Sequence, residues 1–103
     1  MFKLLVLITT VPNKLLAKKI AKLLIERKLA ACVSTKKINS YFKWDNKIEE
    51  EEEIELMIKT IPENLNELIK VLKEEISYEL PQLIYQLFES EINYFNWVKD
   101  SVN

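Results

Sequence analysis

The 103-residue chain has no histidine and no glycine, and only one cysteine and three prolines. Without histidine it lacks the commonest general base and the commonest transition-metal ligand. The missing glycine is as restrictive. Phosphate-cradling loops, dinucleotide fingerprints and nucleophile elbows all place glycine where backbone must approach a ligand or turn sharply. A single thiol, Cys32, allows no intrachain disulfide. No apolar stretch approaches the roughly 20 residues needed to cross a bilayer, so no membrane span is expected. Lysine and arginine are spread along a chain of net charge -1, unlike the concentrated basic footprint of a nucleic-acid binder. Catalysis would fall to Lys, Tyr, Cys or carboxylates alone. No spacing pairs a nucleophile with a base, so the chain is expected not to be an enzyme.

What remains is an ordinary globular balance, 49% hydrophobic and 30% charged, with a length that suits one domain over residues 1–103. Residues 2–10 form a near-continuous run of Leu, Val and Ile, the pattern of a central strand covered on both faces. Read as a strand, this start lacks a basic n-region and a small-residue cleavage site, which implies an intracellular, cytoplasmic protein. Asn13 is placed to cap a helix whose apolar face is Leu16, Ile20, Leu23 and Leu24, ending near Arg27.

Two long strands are predicted over residues 30–42 and 48–60, joined by a turn at Trp44-Asp45-Asn46-Lys47. Ile54, Leu56 and Ile58 alternate with Glu53, Glu55, Met57 and Lys59, so the second strand buries one face. A hairpin this long projects beyond the core of so small a domain and stays a liability unless another chain covers it. Thr60-Ile61-Pro62-Glu63 has the form of a capping box ahead of an apolar face of Leu65, Leu68, Ile69, Leu72 and Ile76. A strand at 83–88 and a short helix at 91–101, with Tyr94, Trp97 and Val98 on one side, complete the order β-α-β-β-α-β-α. Its first six elements are the split βαβ pattern: an α+β, ferredoxin-like fold with helices on one face of a four-stranded antiparallel sheet.

Ala30-Ala31-Cys32-Val33, the run from Phe42 to Glu49, Glu53, and Ile58-Lys59-Thr60 together resemble the signature of the CutA divalent-cation tolerance family. Tyr78-Glu79-Leu80-Pro81 and Tyr94-Phe95-Asn96-Trp97 follow in the order that family shows, and Ile8-Thr9-Thr10-Val11-Pro12 fits its opening. The resemblance implies a tight homotrimer in which each long hairpin reaches across to its neighbours, similar to the PII signalling proteins. It further implies a role in tolerance to divalent cations, copper above all. Some positions depart from the pattern. Asn46 stands where the family has glycine. Ile76-Ser77 stand where it has His-Pro, the stretch that carries candidate metal ligands in some bacterial members.

Three sets of residues follow as candidate sites. Cys32, Glu49 and Glu53 are the metal candidates, for copper or another divalent ion, since thiolate suits Cu(I) and carboxylates suit hard cations. The plainer reading makes Cys32 a small buried hydrophobe and residues 49–53 a solvated charged hairpin, with Lys36 and Lys37 offsetting the repulsion. Adjacent strand residues point to opposite faces, so five glutamates in a row cannot converge on one ion, whereas Glu49 and Glu53 share a face. The resemblance places Trp44, Lys59 and Tyr78 on a cleft between subunits, where Lys59 would bind an anion and Tyr78 donate a hydrogen bond. It assigns Phe42, Pro81, Tyr94 and Trp97 to trimer packing. The alternative to a metal-linked role is a non-catalytic trimeric scaffold or ligand sensor, with a protein partner or small ligand in those clefts.

Overall fold

The computed structural model describes residues 2–103. The elements are β1 (Lys3–Val11), α1 (Lys14–Glu26), β2 (Cys32–Trp44), β3 (Lys47–Thr60), α2 (Leu65–Glu75), β4 (Ile84–Glu89) and α3 (Ile92–Ser101). The four strands make one sheet in the order β2-β3-β1-β4, and every neighbouring pair is antiparallel. This is the mixed α+β arrangement that the alternation of periods predicts.

Pairing fixes which side chains share a face. Leu7 lies opposite Ile58, and Val11 opposite Ile54. These four, with Leu56, meet Ala17, Ile20 and Leu24 of α1 and Leu68, Val71 and Leu72 of α2 in the main core. The other face of β1 is also buried, at Leu4 and Val6, where α3 packs against the sheet and buries Val98 completely. Burial on both faces is why β1 reads as an unbroken apolar run.

Asn13 caps α1 as expected: its Oδ1 accepts from Leu16 N at 2.8 Å. The capping box at Thr60 does not form. A 3₁₀ turn over Pro62–Asn64 comes first, and the fully buried Thr60 hydroxyl instead accepts from Asn64 Nδ2 at 2.9 Å. Asn64 also donates to the carbonyl of Lys28 at 3.2 Å, so one side chain ties the end of β3 to the loop after α1. Ile76 lies one residue past α2, in extended backbone, yet stays in the core.

The β2–β3 ribbon outgrows the sheet. Residues 54–59 of β3 pair with both β1 and β2 and Thr60 with β1 alone, whereas residues 47–53 pair with β2 alone. Seven residues at strand rise project about 23 Å, and the molecule's long axis is 46 Å against 24 and 22 Å for the others. Asp45 and Asn46 close the ribbon with positive φ at both positions, 50° and 64°, the geometry of a tight two-residue hairpin turn. Lys36 and Lys37 do not offset the glutamate run. Lys36 lies opposite Glu55, 3.6 Å from its carboxylate, and Lys37 lies opposite Ile54.

Candidate functional site

The projecting ribbon has two faces. On the one turned away from α1 and α2, Phe42 lies opposite Glu49, Ser40 opposite Glu51, and Ile38 opposite Glu53. Period-two alternation therefore puts three carboxylates in a row beside an aromatic edge that ends in Trp44. The loop after α2 supplies a facing wall of Tyr78, Glu79, Leu80 and Gln82, and Thr10 and Pro12 close the base. The groove, open to solvent, measures about 990 Å³.

Tyr78 holds the wall to the ribbon. Ile76 is locked into the core, and the extended chain that leaves it carries Tyr78 to the sheet. There its Oη donates to Glu53 Oε2 at 2.7 Å. Burial, then the bond to Glu53, then the negative charges of Glu53 and Glu51 hold the phenol above its usual range. Glu53 is 9% exposed, a carboxylate taken out of water with a neutral donor as its partner. The groove thus combines negative charge with half-exposed aromatic surface at Phe42 and Trp44, a surface suited to cationic or aromatic groups.

The residues singled out from the sequence fall into separate places. Trp44, Tyr78, Glu49, Glu53 and Phe42 all line the groove. Pro81 sits half-buried between wall residues Leu80 and Gln82. Lys59 is elsewhere: it lies opposite Val6 and Cys32, six positions along β3 from Glu53, about 20 Å away. Cys32 is equally remote. Its Sγ has Ser34 Oγ at 3.9 Å, and neither Glu49 nor Glu53 comes near it within one chain.

Among the described residues, no three Cys, Asp or Glu side chains gather where they could hold a metal ion. The chain's own Cys32, Glu49 and Glu53 therefore do not fit a copper centre. Tyr94 and Trp97 stack on each other, centroids 5.6 Å apart, on the exposed side of α3. The core-facing residue of that helix is Val98, and Phe95 turns to Phe2 at 5.3 Å.

Sequence reasoning missed Glu51, Glu79 and Leu80 as groove residues. Glu51 was within reach, because it shares the face of Glu49 and Glu53 by alternation. The wall residues were not, because nothing local to an irregular loop says which strand it crosses.

The CutA1 divalent ion tolerance protein family matches this chain over residues 5–101. A protein CutA homologue of Xenopus laevis is 39% identical over 95 residues, which is 90% of this chain and 63% of that protein. The divalent-cation tolerance protein CutA of Archaeoglobus fulgidus is 36% identical over 94 residues, 90% of this chain and 92% of that one. The human protein CutA is only about half covered, at 51% of its length. Among solved structures, CutA of Synechococcus elongatus superposes with a TM-score of 0.96 at 32% identity, over 100% of this chain and 93% of that chain. The periplasmic CutA of Archaeoglobus fulgidus gives 0.94 at 32% identity, over 97% and 99% of the two chains. With the family matched over residues 5–101 and the fold shared over nearly the whole length, the chain belongs to the CutA1 divalent ion tolerance protein family.

Proposed function

We propose that this chain acts in divalent-ion tolerance as a cytoplasmic, non-catalytic homotrimer whose working surface is the groove along the projecting ribbon. The observation that carries this reading is the unpartnered surface of the single chain. Both β2 and β4 are sheet edges, and Ile84, Tyr85, Leu87 and Phe88 of β4 are each about half exposed. An open edge strand with apolar side chains on both faces is an association surface. The ribbon adds Phe42 and Trp44 at 40% and 42% exposure, beyond the reach of the chain's own core. Association that covers edge and ribbon would also roof the groove, so the ligand surface and the assembly surface belong together.

The groove favours a small cationic or aromatic ligand over a soft-metal centre. Glu49, Glu51 and Glu53 supply charge at steps of about 7 Å, too far apart for one ion to bridge them all. Metal titration of the purified protein tests this part. Cu(I) and Cu(II) uptake per chain is expected to be the same in wild type and in Cys32→Ser. Loss of a stoichiometric copper site in that variant would restore Cys32 as a ligand and overturn the reading of the groove as the working surface.

A second reading, a scaffold that holds a protein partner in the same groove, is favoured by the Trp44 and Phe42 edge, since exposed aromatics are common interface anchors. Partner capture that survives Trp44→Ala and Tyr78→Phe together would argue against it.

A further inference from the structure

On the helix side of the sheet, away from the acidic groove, α1 and the base of β2 bring lysines together. Lys14, Lys18 and Lys22 stand at i, i+4 and i+8 on α1 and so form one row. Lys37 of β2, on the same strand face as Val33 and Thr35, stands across from them, and the four lysines border a trough of about 670 Å³ between helix and strand. Its floor is small, with Ala17 and Ala21, and Thr35 adds a hydroxyl. Among the described residues, no acidic one lines it. Lys36 points to the other face of β2, where Glu55 engages it at 3.6 Å, whereas Lys14, Lys18, Lys22 and Lys37 have no carboxylate within 4.0 Å among the described residues. The net charge of -1 hides this separation, and so does the even spread of lysine along the sequence.

The charge order of α1 gives an independent observation. A helix is stabilised by acids in its first turn and bases in its last. Here the first turn has no acid and begins with Lys14, while the last turn has no base and ends in Glu26. The three lysines also repel one another at i, i+4 spacing. Helix dipole and side chains therefore add their positive potential at the same end, at a cost to the free chain that a bound anion would remove.

We infer that the trough between α1 and β2 binds a small polyanion carrying several phosphate groups. The lysine row spans about 12 Å at helical rise, the length of a short run of phosphates. Lysine ammonium groups act as point charges on phosphate and need no planar, bidentate geometry. Among the described residues no aromatic side chain lines the trough, so they offer no platform on which a nucleic-acid strand would stack its bases. This site lies on the other side of the sheet from the Tyr78 groove and does not depend on the function proposed there.

Calorimetric titration with inorganic tripolyphosphate, orthophosphate and a thymidine oligonucleotide tests the inference. Wild type is expected to bind tripolyphosphate at one site per chain, about tenfold or more tighter than orthophosphate. Lys18→Gln/Lys22→Gln and, separately, Lys14→Gln/Lys37→Gln should each weaken it by about tenfold. Lys70→Gln/Lys73→Gln on α2 removes equal charge and should leave it unchanged. Equal weakening by the α2 variant, or no binding at millimolar tripolyphosphate, would overturn the site. Tighter binding of the oligonucleotide would overturn the small-anion assignment. A change in the mass of the assembly with no change in tripolyphosphate affinity would make the acidic ribbon of a second copy the occupant instead.

Discussion

Tyr78 Oη donates to Glu53 Oε2 at 2.7 Å, joining the loop after α2 to a strand residue 25 positions earlier. The bond satisfies a carboxylate that is 9% exposed and sets the width of the acidic groove. Tyr78→Phe keeps the ring and removes the donor. It is expected to cost about 1 to 3 kcal/mol, because a buried acceptor loses its partner, and urea unfolding measures it.

The same phenol sets an alkaline limit. Its folded pKa is raised above that of the unfolded chain. Its contribution is therefore fully present below about pH 10, the unfolded value, and is lost as pH rises above that point. Stability measured from pH 9 to 11 should fall less steeply in Tyr78→Phe than in wild type. Parallel profiles would show that the hydroxyl is not held protonated by its surroundings.

Glu91 caps α3 through its carboxylate, which accepts from Asn93 N at 2.9 Å and Tyr94 N at 3.0 Å. Those two backbone donors lower its pKa. A depressed carboxylate contributes above its unfolded value of 4.5 and loses that contribution as pH falls through the lower folded one. Glu91→Gln should lower the thermal midpoint at neutral pH, and the gap from wild type should close in acid. A gap independent of pH would mean that the carboxylate charge plays no part in the cap.

Lys28 sits at φ 59° just past α1, in the left-handed region that glycine occupies without strain. Lys28→Gly should stabilise the chain by up to about 1 kcal/mol. Part of that gain is offset, because Lys28 Nζ also donates to the Asn103 carbonyl at 3.1 Å. Loss of stability in this variant would mean that the contact outweighs the backbone strain.

Thr9 is fully buried on β1 facing Leu56, and its hydroxyl has no hydrogen-bond partner among the described residues. Thr9→Val replaces an unpaired polar group with a methyl of similar shape. A gain of about 1 to 2 kcal/mol is expected in chemical denaturation, and a loss would show that the hydroxyl is satisfied in solution.

Most of the fold was legible because period and capping are local signals. The unbroken apolar run of β1, the alternation ending at Ile58 and the Asn13 cap each name their element directly. Strand ends were less so. β2 was expected from Ala30 but starts at Cys32, because Ala30 turns into the core ahead of the strand. Thr60 carried a capping signature, yet its hydroxyl is taken by Asn64 in a 3₁₀ turn, a choice made by tertiary packing. The groove was half legible. Alternation puts Glu49 and Glu53 on one face, but the crossing of the Tyr78 loop over that face depends on Ile76 being buried beyond the end of α2. Lys59 shares a motif with its neighbours in sequence and still lies about 20 Å from the groove, since a strand spreads nearby residues along its length.

The solution mass of the purified protein, by light scattering at micromolar concentration, bears most directly on the exposed β4 edge and the unsupported ribbon. Three times the 12.2 kDa of one chain is the expected value. A stable, soluble species of 12.2 kDa would contradict it, because β4 and the ribbon would then be tolerating water alone.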